Sequence, residues 1–226
     1  MKIKGVTVEP WMAAIPVALG LGSMAYLIAS IALDDGVPAG VVPPASFQGV
    51  PFAAGIRKPA WPVQTRDSRI GQVAYRDIHG NTHGNYDRRF GASRDGRYHV
   101  GIDLYANNGD PVIAIADGVV TNAQTFHLGS WALFVDHGPV VVMYGEVEEY
   151  SWRDFGVYVG STVKKGQPIA RVACMRGSGS SCSSHMLHFE TYRDGSGQNK
   201  TWHVGSPAPA AILDPTLLLL QASKSV

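Results

Sequence analysis

The sequence lacks a strong excess of charge of either sign. Its 226 residues include 19 basic and 18 acidic side chains, so the formal net charge is +1. Because nucleic-acid binding depends on concentrated positive charge, we expect no nucleic-acid partner. With only 2 cysteines the chain cannot be a disulfide-rich scaffold. Beyond the first 40 residues no sustained 3.6-residue apolar stripe appears, which excludes a helical bundle.

One long apolar run is present, from Trp11 to Leu33, and it contains no charged residue. About 20 apolar residues suffice to cross a bilayer as a helix, so residues 11–33 are predicted to form a transmembrane helix. Lysines precede the run and aspartates follow it, which by the positive-inside rule leaves residues 1–10 as a short cytoplasmic N-terminus. We therefore expect a single-pass inner-membrane protein with a periplasmic C-terminal domain. A signal peptide cleaved near Ala25 is the alternative.

The rest of the chain divides by composition. Residues 34–64 are rich in proline and glycine and show no regular period, which predicts an extended linker. From residue 65 to 220, short runs rich in valine, isoleucine and aromatic residues alternate with turn signals. This pattern predicts an all-β domain of mainly antiparallel sheets with few or short helices. Residues 221–226 are left as a tail.

The 2 cysteines, Cys174 and Cys182, flank a stretch of glycine and serine. An exported domain can retain a disulfide, and we favour a bond between them. Two free thiols or two soft metal ligands are the alternatives, although zinc thiolate sites usually show a CxxC spacing that is absent here.

Two histidine motifs are candidates for metal chemistry. His99 and Asp103 are four residues apart in a segment that reads as extended, so both side chains are expected on one face of a strand. Imidazole and carboxylate are ordinary zinc ligands, but a His–Asp hydrogen bond explains this spacing equally well. His185 and His188 lie in an apolar run, where histidine is usually a packed core residue.

The order of the motifs resembles the lysostaphin/LytM-type zinc endopeptidases. The matching runs are GID after His99, then GDPVIAIADGVV, VYVGSTVKKGQPIA, LHFE and ILDPTLLL. The resemblance implies a compact antiparallel β-fold around a groove and cleavage of peptide cross-links in bacterial peptidoglycan. It also implies a Zn2+ ion bound by His99, Asp103 and His188. Biotinyl and lipoyl carrier domains share the VGSTVKKGQPIA hairpin, but nothing here resembles their cofactor-carrying lysine motif.

The chain departs from the family pattern at both usual catalytic histidines. Met186 stands where the first histidine of HxH belongs, and Glu146 stands in place of the histidine of YxHL. We predict that Glu146 is the catalytic base. His185, or else Tyr144, is the nearest candidate for the group that stabilises the oxyanion. The alternative is a zinc-containing domain without turnover that binds peptidoglycan or a regulatory partner.

Glu190 has two possible roles. It is either a group that orients a metal-bound imidazole or simply a charge at a strand end.

Small residues recur within the predicted membrane helix. Ala14, Ala18 and Gly22 are four residues apart, a spacing that lets membrane helices approach closely. Plain composition bias explains this recurrence equally well. We expect the N-terminal helix to make the membrane a partner, and a homo-oligomer or a large envelope assembly as the form in the cell. A phage virion component that opens the cell wall is the alternative setting.

Overall fold

The structure, a computed structural model, describes residues 44–175, 182, 184–193 and 195–226. The predicted cytoplasmic segment 1–10, the predicted transmembrane helix 11–33 and the first part of the predicted linker lie outside the described residues. Among the residues that are described, no helix has the length and apolar character needed to cross a bilayer.

The described part of the chain consists of short strands joined by turns, with one α-helix near its C-terminal end. The elements are β1 (Tyr75–Arg76), β2 (Thr82–His83), β3 (Ser93–Arg94), β4 (Arg97–Tyr98), β5 (Gly101–Tyr105), β6 (Pro111–Ile113), β7 (Gly118–Thr125), β8 (Trp131–Asp136), β9 (Val141–Val147), β10 (Thr162–Val163), β11 (Pro168–Arg171), β12 (Met186–Tyr192), β13 (Trp202–His203), β14 (Ile212–Leu213) and α1 (Thr216–Ala222). Four short 3-10 helices lie at Phe47–Gly49, Tyr86–Arg88, Ser151–Phe155 and Ser223–Ser225. The predicted mainly antiparallel β-domain with few and short helices is confirmed.

The largest sheet has the strand order β10-β7-β8-β9-β12-β14, and β5 also pairs with β12. All of these pairings are antiparallel. Along β12 the side chains alternate, so that Leu187 and Phe189 are fully buried in the core together with Ile102 and Leu104 of β5. The opposite face of β5 and β12 is left to carry polar groups.

The C-terminal part of the predicted linker is packed onto the domain, so the predicted boundary at residue 65 is wrong. Val50, Trp61 and Val63 are buried in the core. The backbone N–H of Ala53 donates to the Asp214 carbonyl at 2.9 Å, and that of Ala60 donates to the Ile115 carbonyl at 2.8 Å. Sequence patterns missed this because the apolar side chains follow no regular period. Each residue fills a separate gap in the core, and the folded domain includes residues 44–64.

The predicted tail 221–226 is also largely folded. Helix α1 ends at Ala222, whose side chain is buried, and the 3-10 helix Ser223–Ser225 follows it directly. The five residues before Gln221 are all buried, and the four leucines among them belong to the hydrophobic core. Their continuous apolar run concealed the helical period.

The predicted disulfide is confirmed, since Cys174 and Cys182 are bonded. Replacing both by serine is expected to lower the free energy of unfolding by about 2 to 3 kcal/mol, because the unfolded chain loses a short closed loop. Urea denaturation of this variant checks the value against oxidised wild type. Wild type treated with a thiol reductant is expected to match the variant; a midpoint unchanged in both would contradict the prediction.

Gly101 of β5 allows the backbone to lie against β12. A Cβ at this position would lie 2.6 Å from the Phe189 carbonyl oxygen, a backbone atom that cannot move aside cheaply. We expect Gly101→Ala to lower the free energy of unfolding by about 1 to 3 kcal/mol through overpacking. Gly197→Ala is the matched control, since a Cβ there would meet nothing within 4 Å. Equal urea midpoints for the two variants would contradict this account of Gly101.

Candidate metal centre

Strand register brings two of the predicted ligands together. In the antiparallel pair β5 and β12, His188 lies directly opposite Asp103, and on its other side it lies opposite Gly145 of β9. Residues opposite each other share a face of the sheet, so Asp103 and His188 project together. A Cβ on Gly145 would lie 3.2 Å from Cδ2 of His188, which shows that the missing side chain leaves room for the imidazole ring.

His99 joins this pair from the segment just before β5. Its backbone N–H donates to the Ala92 carbonyl at 2.8 Å, and its carbonyl accepts from the N–H of Gly91 at 2.7 Å. Because an extended chain alternates its side chains, His99 and Asp103 lie on the same face, as their spacing predicted.

The three side chains converge on one point. Nε2 of His99 is 3.2 Å from Nδ1 of His188 and 3.2 Å from Oδ1 of Asp103, and Nδ1 of His188 is 2.8 Å from Oδ1 of Asp103. All three residues are buried, and each offers one ligand atom to the cluster. Atoms about 2 Å from a tetrahedral zinc ion are themselves about 3 Å apart, so the spacing suits such an ion.

Each of the two histidines makes one hydrogen bond with the ring nitrogen that points away from the cluster. In the neutral ring this bond determines the tautomer, and so whether the nitrogen that faces the cluster carries a proton. Nδ1 of His99 is 2.9 Å from the Arg89 carbonyl oxygen, which only accepts, so this nitrogen carries the proton. In the same way Nε2 of His188 donates to Oε1 of Glu190 at 2.7 Å. In neutral imidazoles the inner nitrogens therefore present lone pairs beside a carboxylate oxygen, and three acceptors at this distance fit a bound cation.

The same contacts shift the pKa values of Asp103 and His188 in the metal-free protein. Burial opposes ionisation of Asp103, but His99 and His188 beside it hold the pKa of its carboxyl well below the usual range. Burial lowers the pKa of His188, yet Asp103 and Glu190 outweigh it and raise this pKa to about 10. The metal-free protein therefore favours a protonated His188, and Nδ1 of this ring must lose its proton before it can bind a cation, so cation binding releases a proton.

Two further contacts orient the ligands from outside. Nη2 of Arg94 is 2.8 Å from Oδ2 of Asp103, which leaves Oδ1 for the cluster. The second carboxylate oxygen of Glu190 accepts a hydrogen bond from the hydroxyl of Tyr192, and this hydroxyl accepts from the backbone N–H of Lys200 at 3.0 Å. Of the two predicted roles for Glu190, the structure favours the one that orients His188.

Glu146 reaches the same site through a β-bulge. On β8 the partners of Gly145 and Val147 are consecutive residues, so Glu146 is left unpaired, and its φ is 60°. Regular alternation would point Glu146 into the core beside Tyr144; the bulge turns it to the other face. Its Oε2 atom is buried without a hydrogen-bond partner among the described residues. Burial raises the pKa of this carboxyl to about 7.

The cluster and Glu146 line a groove with a volume of about 470 Å³. Met186 and Glu190 of β12 line it as well, as strand alternation predicted. Three further segments line the groove. The β3–β4 hairpin contributes Arg94, Arg97 and Tyr98, the segment 199–201 contributes Asn199, Lys200 and Thr201, and the end of β7 with the following turn contributes Thr125, Phe126, His127 and Leu128.

The two predicted oxyanion donors lie elsewhere. His185 is not among the groove-lining residues; Nδ1 of its ring is 2.6 Å from the Ala106 carbonyl oxygen, because alternation along β12 turns it to the other face. Tyr144 is fully buried in the core, where its hydroxyl accepts from the N–H of Ile115 and lies 3.0 Å from Nε2 of His137. Neither side chain lines the groove, so the structure does not support the prediction that His185 or Tyr144 takes part in catalysis.

His127 also lines the groove, although no sequence motif indicates it. His127 lies in the turn between β7 and β8, and its carbonyl accepts hydrogen bonds from both the backbone N–H and the hydroxyl of Ser130. The ring of the preceding Phe126 lies 5.3 Å from the His188 ring, centroid to centroid. No spacing relates His127 to the ligand motifs, so nothing in the sequence pattern marked it.

A buried His–Asp–His cluster on the floor of a groove, with a free carboxylate beside it, is an arrangement suited to metal-assisted hydrolysis. Residues 97–200 match the sequence model of peptidase family M23. The match lies in the region that carries most of the motifs, and the resemblance of those motifs to this family is confirmed. No significant match was found among curated protein sequences.

Solved structures of similar shape were also found. Helicobacter pylori Csd3 is 19% identical with a TM-score of 0.41, over 69% of this chain and 36% of that one. The catalytic domain of the antimicrobial peptidase lysostaphin from Staphylococcus simulans is 25% identical with a TM-score of 0.41, over 58% of this chain and 88% of that one. A zinc-containing peptidase from Vibrio cholerae is 23% identical with a TM-score of 0.34, over 53% of this chain and 43% of that one. The match thus spans little more than a third of the Csd3 chain.

Proposed function

We propose that the protein is a zinc metallopeptidase that hydrolyses peptide bonds of bacterial peptidoglycan. The observation that carries the proposal is the convergence of His99, Asp103 and His188 in a groove that also holds the unpartnered carboxylate of Glu146. The match of residues 97–200 to peptidase family M23 supports the reaction class.

The chain's own residues have distinct roles in this proposal. A zinc ion held by His99, Asp103 and His188 would lower the pKa of a bound water toward neutrality and polarise the substrate carbonyl. Glu146 accepts the proton of the attacking water and passes it to the leaving amine. Burial raises its pKa to about 7 in the metal-free protein, which brings it closer to the neutral range in which a general base and acid are most effective.

His127 takes the role that His185 and Tyr144 cannot fill. Among the described residues that line the groove, it is the one imidazole outside the metal cluster. We expect His127→Ala to lower kcat about 100-fold with little change in KM, because a donor to the developing oxyanion acts mainly in the transition state. His185→Ala is the control and should keep wild-type kcat; an equal loss in both variants would contradict the role of His127.

A second candidate is a zinc-containing domain that binds peptidoglycan without turning it over. Met186 and Glu146 replace the usual catalytic histidines, and His185 faces away from the groove. A groove built this way still offers shape and charge for a peptide ligand.

Digestion of purified peptidoglycan by the zinc-loaded full chain separates the two candidates. Residues 44–64 form part of the core, so a fragment that begins at residue 65 is unsuitable. Mass spectrometry of released fragments should show new peptide termini that are absent with Glu146→Gln. Peptidoglycan sedimentation with bound protein and no new termini would support the binding module instead.

For the cellular setting we propose a membrane anchor at residues 11–33 with the zinc domain in the periplasm, supported by the uncharged apolar run and its flanking charges. Self-association through the anchor is part of this proposal, and a phage virion component remains its alternative. Carbonate extraction of cells that express the full chain should leave the protein with the membranes. Release into the soluble fraction would contradict the anchor.

A further inference from the structure

A tight hairpin places two arginines side by side at the groove. Strands β3 and β4 are joined by Asp95 and Gly96, both with positive φ, at 39° and 78°, in the kind of Asp-Gly turn that matches strand twist. In this hairpin Arg94 and Arg97 are direct cross-strand partners. Arg94 reaches Asp103, and Arg97 lines the same groove as the metal cluster.

The two arginines differ in whether a carboxylate neutralises their charge. Like charges directly opposite each other destabilise a strand pair. The charge of Arg94 is compensated by Asp103 at 2.8 Å. Arg97 is exposed, and no carboxylate of the described residues lies within ion-pair distance of it. The hairpin therefore keeps one cation at the groove that the fold itself does not neutralise.

Lys200 supplies a second such cation from a segment that is firmly held. Its backbone N–H donates to the hydroxyl of Tyr192, within the network that also positions His188. The neighbouring Asn199 accepts from the side chain of Gln124 at 2.9 Å. The ammonium group of Lys200 has no ion-pair partner within the described ranges. Its backbone is thus fixed while its charge is available.

The charge balance of the groove favours an anionic ligand. Three basic residues line it, namely Arg94, Arg97 and Lys200, against the carboxylates of Asp103, Glu146 and Glu190. With a divalent cation in the cluster the lining becomes net positive, even with every carboxylate ionised and every histidine neutral. Such a groove raises the local concentration of acidic ligands.

We propose that Arg97 and Lys200 bind a free carboxylate of the substrate. This inference rests on the proposed function and narrows it. The substrate class is a peptidoglycan stem peptide that carries a free carboxylate near the scissile bond, rather than an uncharged oligoglycine bridge. A guanidinium and an ammonium group together form charge-assisted hydrogen bonds with a carboxylate, and a carboxamide cannot accept them with comparable strength.

The test uses two stem peptides of identical sequence, one with a free side-chain or α-carboxylate and the other with the corresponding carboxamide. Binding is measured by calorimetry on the zinc-loaded full chain carrying Glu146→Gln, which removes turnover, and cleavage is measured on the wild type. Because a carboxylate can also bind zinc directly, the assignment depends on Arg97→Gln and Lys200→Gln added to this background. Arg153→Gln is the control, since Arg153 lies over the Tyr150 ring outside the groove lining.

The acidic peptide is expected to bind about tenfold more tightly than its carboxamide, since exposed charge pairs contribute modestly. Each of Arg97→Gln and Lys200→Gln should weaken the acidic peptide about threefold to fivefold and leave the carboxamide unchanged, while Arg153→Gln changes neither. Equal affinity for both peptides, or equal losses for both in the variants, would overturn the inference.

The two readouts separate this inference from the proposed function. Selective binding that depends on Arg97 and Lys200, without cleavage by wild type, supports carboxylate recognition and defeats the peptidase proposal. Cleavage of both peptides with the same kcat/KM, unchanged in the two variants, supports the peptidase and overturns carboxylate recognition.

Discussion

Replacing His188 by alanine is expected to abolish stoichiometric zinc binding and to lower peptidoglycan hydrolysis by more than about 100-fold. In the proposed zinc site the ring supplies one of three ligand atoms, and its loss leaves only Nε2 of His99 and Oδ1 of Asp103 in place. The change also removes the imidazole that donates a hydrogen bond to the buried carboxylate of Glu190. The loss of zinc binding is checked by measuring the zinc content of the gel-filtered protein with inductively coupled plasma mass spectrometry.

His185→Ala is the matched control for this variant. The two histidines are three residues apart around the start of the same strand, but His185 bonds to the Ala106 carbonyl and does not line the groove. It should retain one zinc per chain. Circular dichroism on both variants shows whether the fold is kept. A folded His188→Ala protein with full zinc content would contradict the ligand assignment.

Glu146→Gln is expected to lower kcat by about 100-fold to 10,000-fold, with zinc content and KM close to wild type. Glutamine keeps the shape of the side chain and the bulge, but it cannot accept a proton at neutral pH. In the wild type the acid limb of the kcat/KM profile should follow ionisation of Glu146. Since a nearby cation favours the carboxylate form, this limb is expected at or below pH 7 in the zinc-loaded protein.

Stability of the zinc-free protein gives an independent readout for the same residue. Burial raises the pKa of Glu146 from 4.5 to about 7, so folding favours the protonated carboxyl. This stabilisation is fully present below pH 4.5 and is lost as the pH rises through about 7. Glu146→Gln should therefore flatten the decline in the free energy of unfolding between pH 5 and pH 8, as measured by urea denaturation of the chelator-treated protein. An unchanged slope, or full activity in the variant, would contradict the assigned position and role.

Much of the metal site could be predicted because it obeys regular strand geometry. Asp103 follows His99 by four positions, and Glu190 follows His188 by two. Because both offsets are even, the two side chains of each pair share a face of the strand. The family resemblance then joined the two segments, which are distant in sequence. The register of β5 against β12 completes the site without any irregular element.

The groove around the cluster could not be predicted in the same way. Glu146 points into it because a bulge breaks the alternation of β9, and a bulge depends on the partner strand rather than on local sequence. His127 lies in a turn and Lys200 in an irregular segment, and their placement depends on contacts with other segments, such as the hydrogen bond from the backbone N–H of Lys200 to the hydroxyl of Tyr192. Residues 44–64 likewise pack through irregular tertiary contacts that no periodic pattern encodes.

Zinc K-edge X-ray absorption on the full chain tests the central claim most directly. We expect one zinc per chain with two imidazole nitrogens and one carboxylate oxygen at about 2.0 to 2.2 Å, completed by a solvent oxygen. The spectrum should lose this signature in His188→Ala and keep it in Glu146→Gln. A sulfur shell, a coordination sphere without imidazole, or an unaltered spectrum in His188→Ala would contradict it.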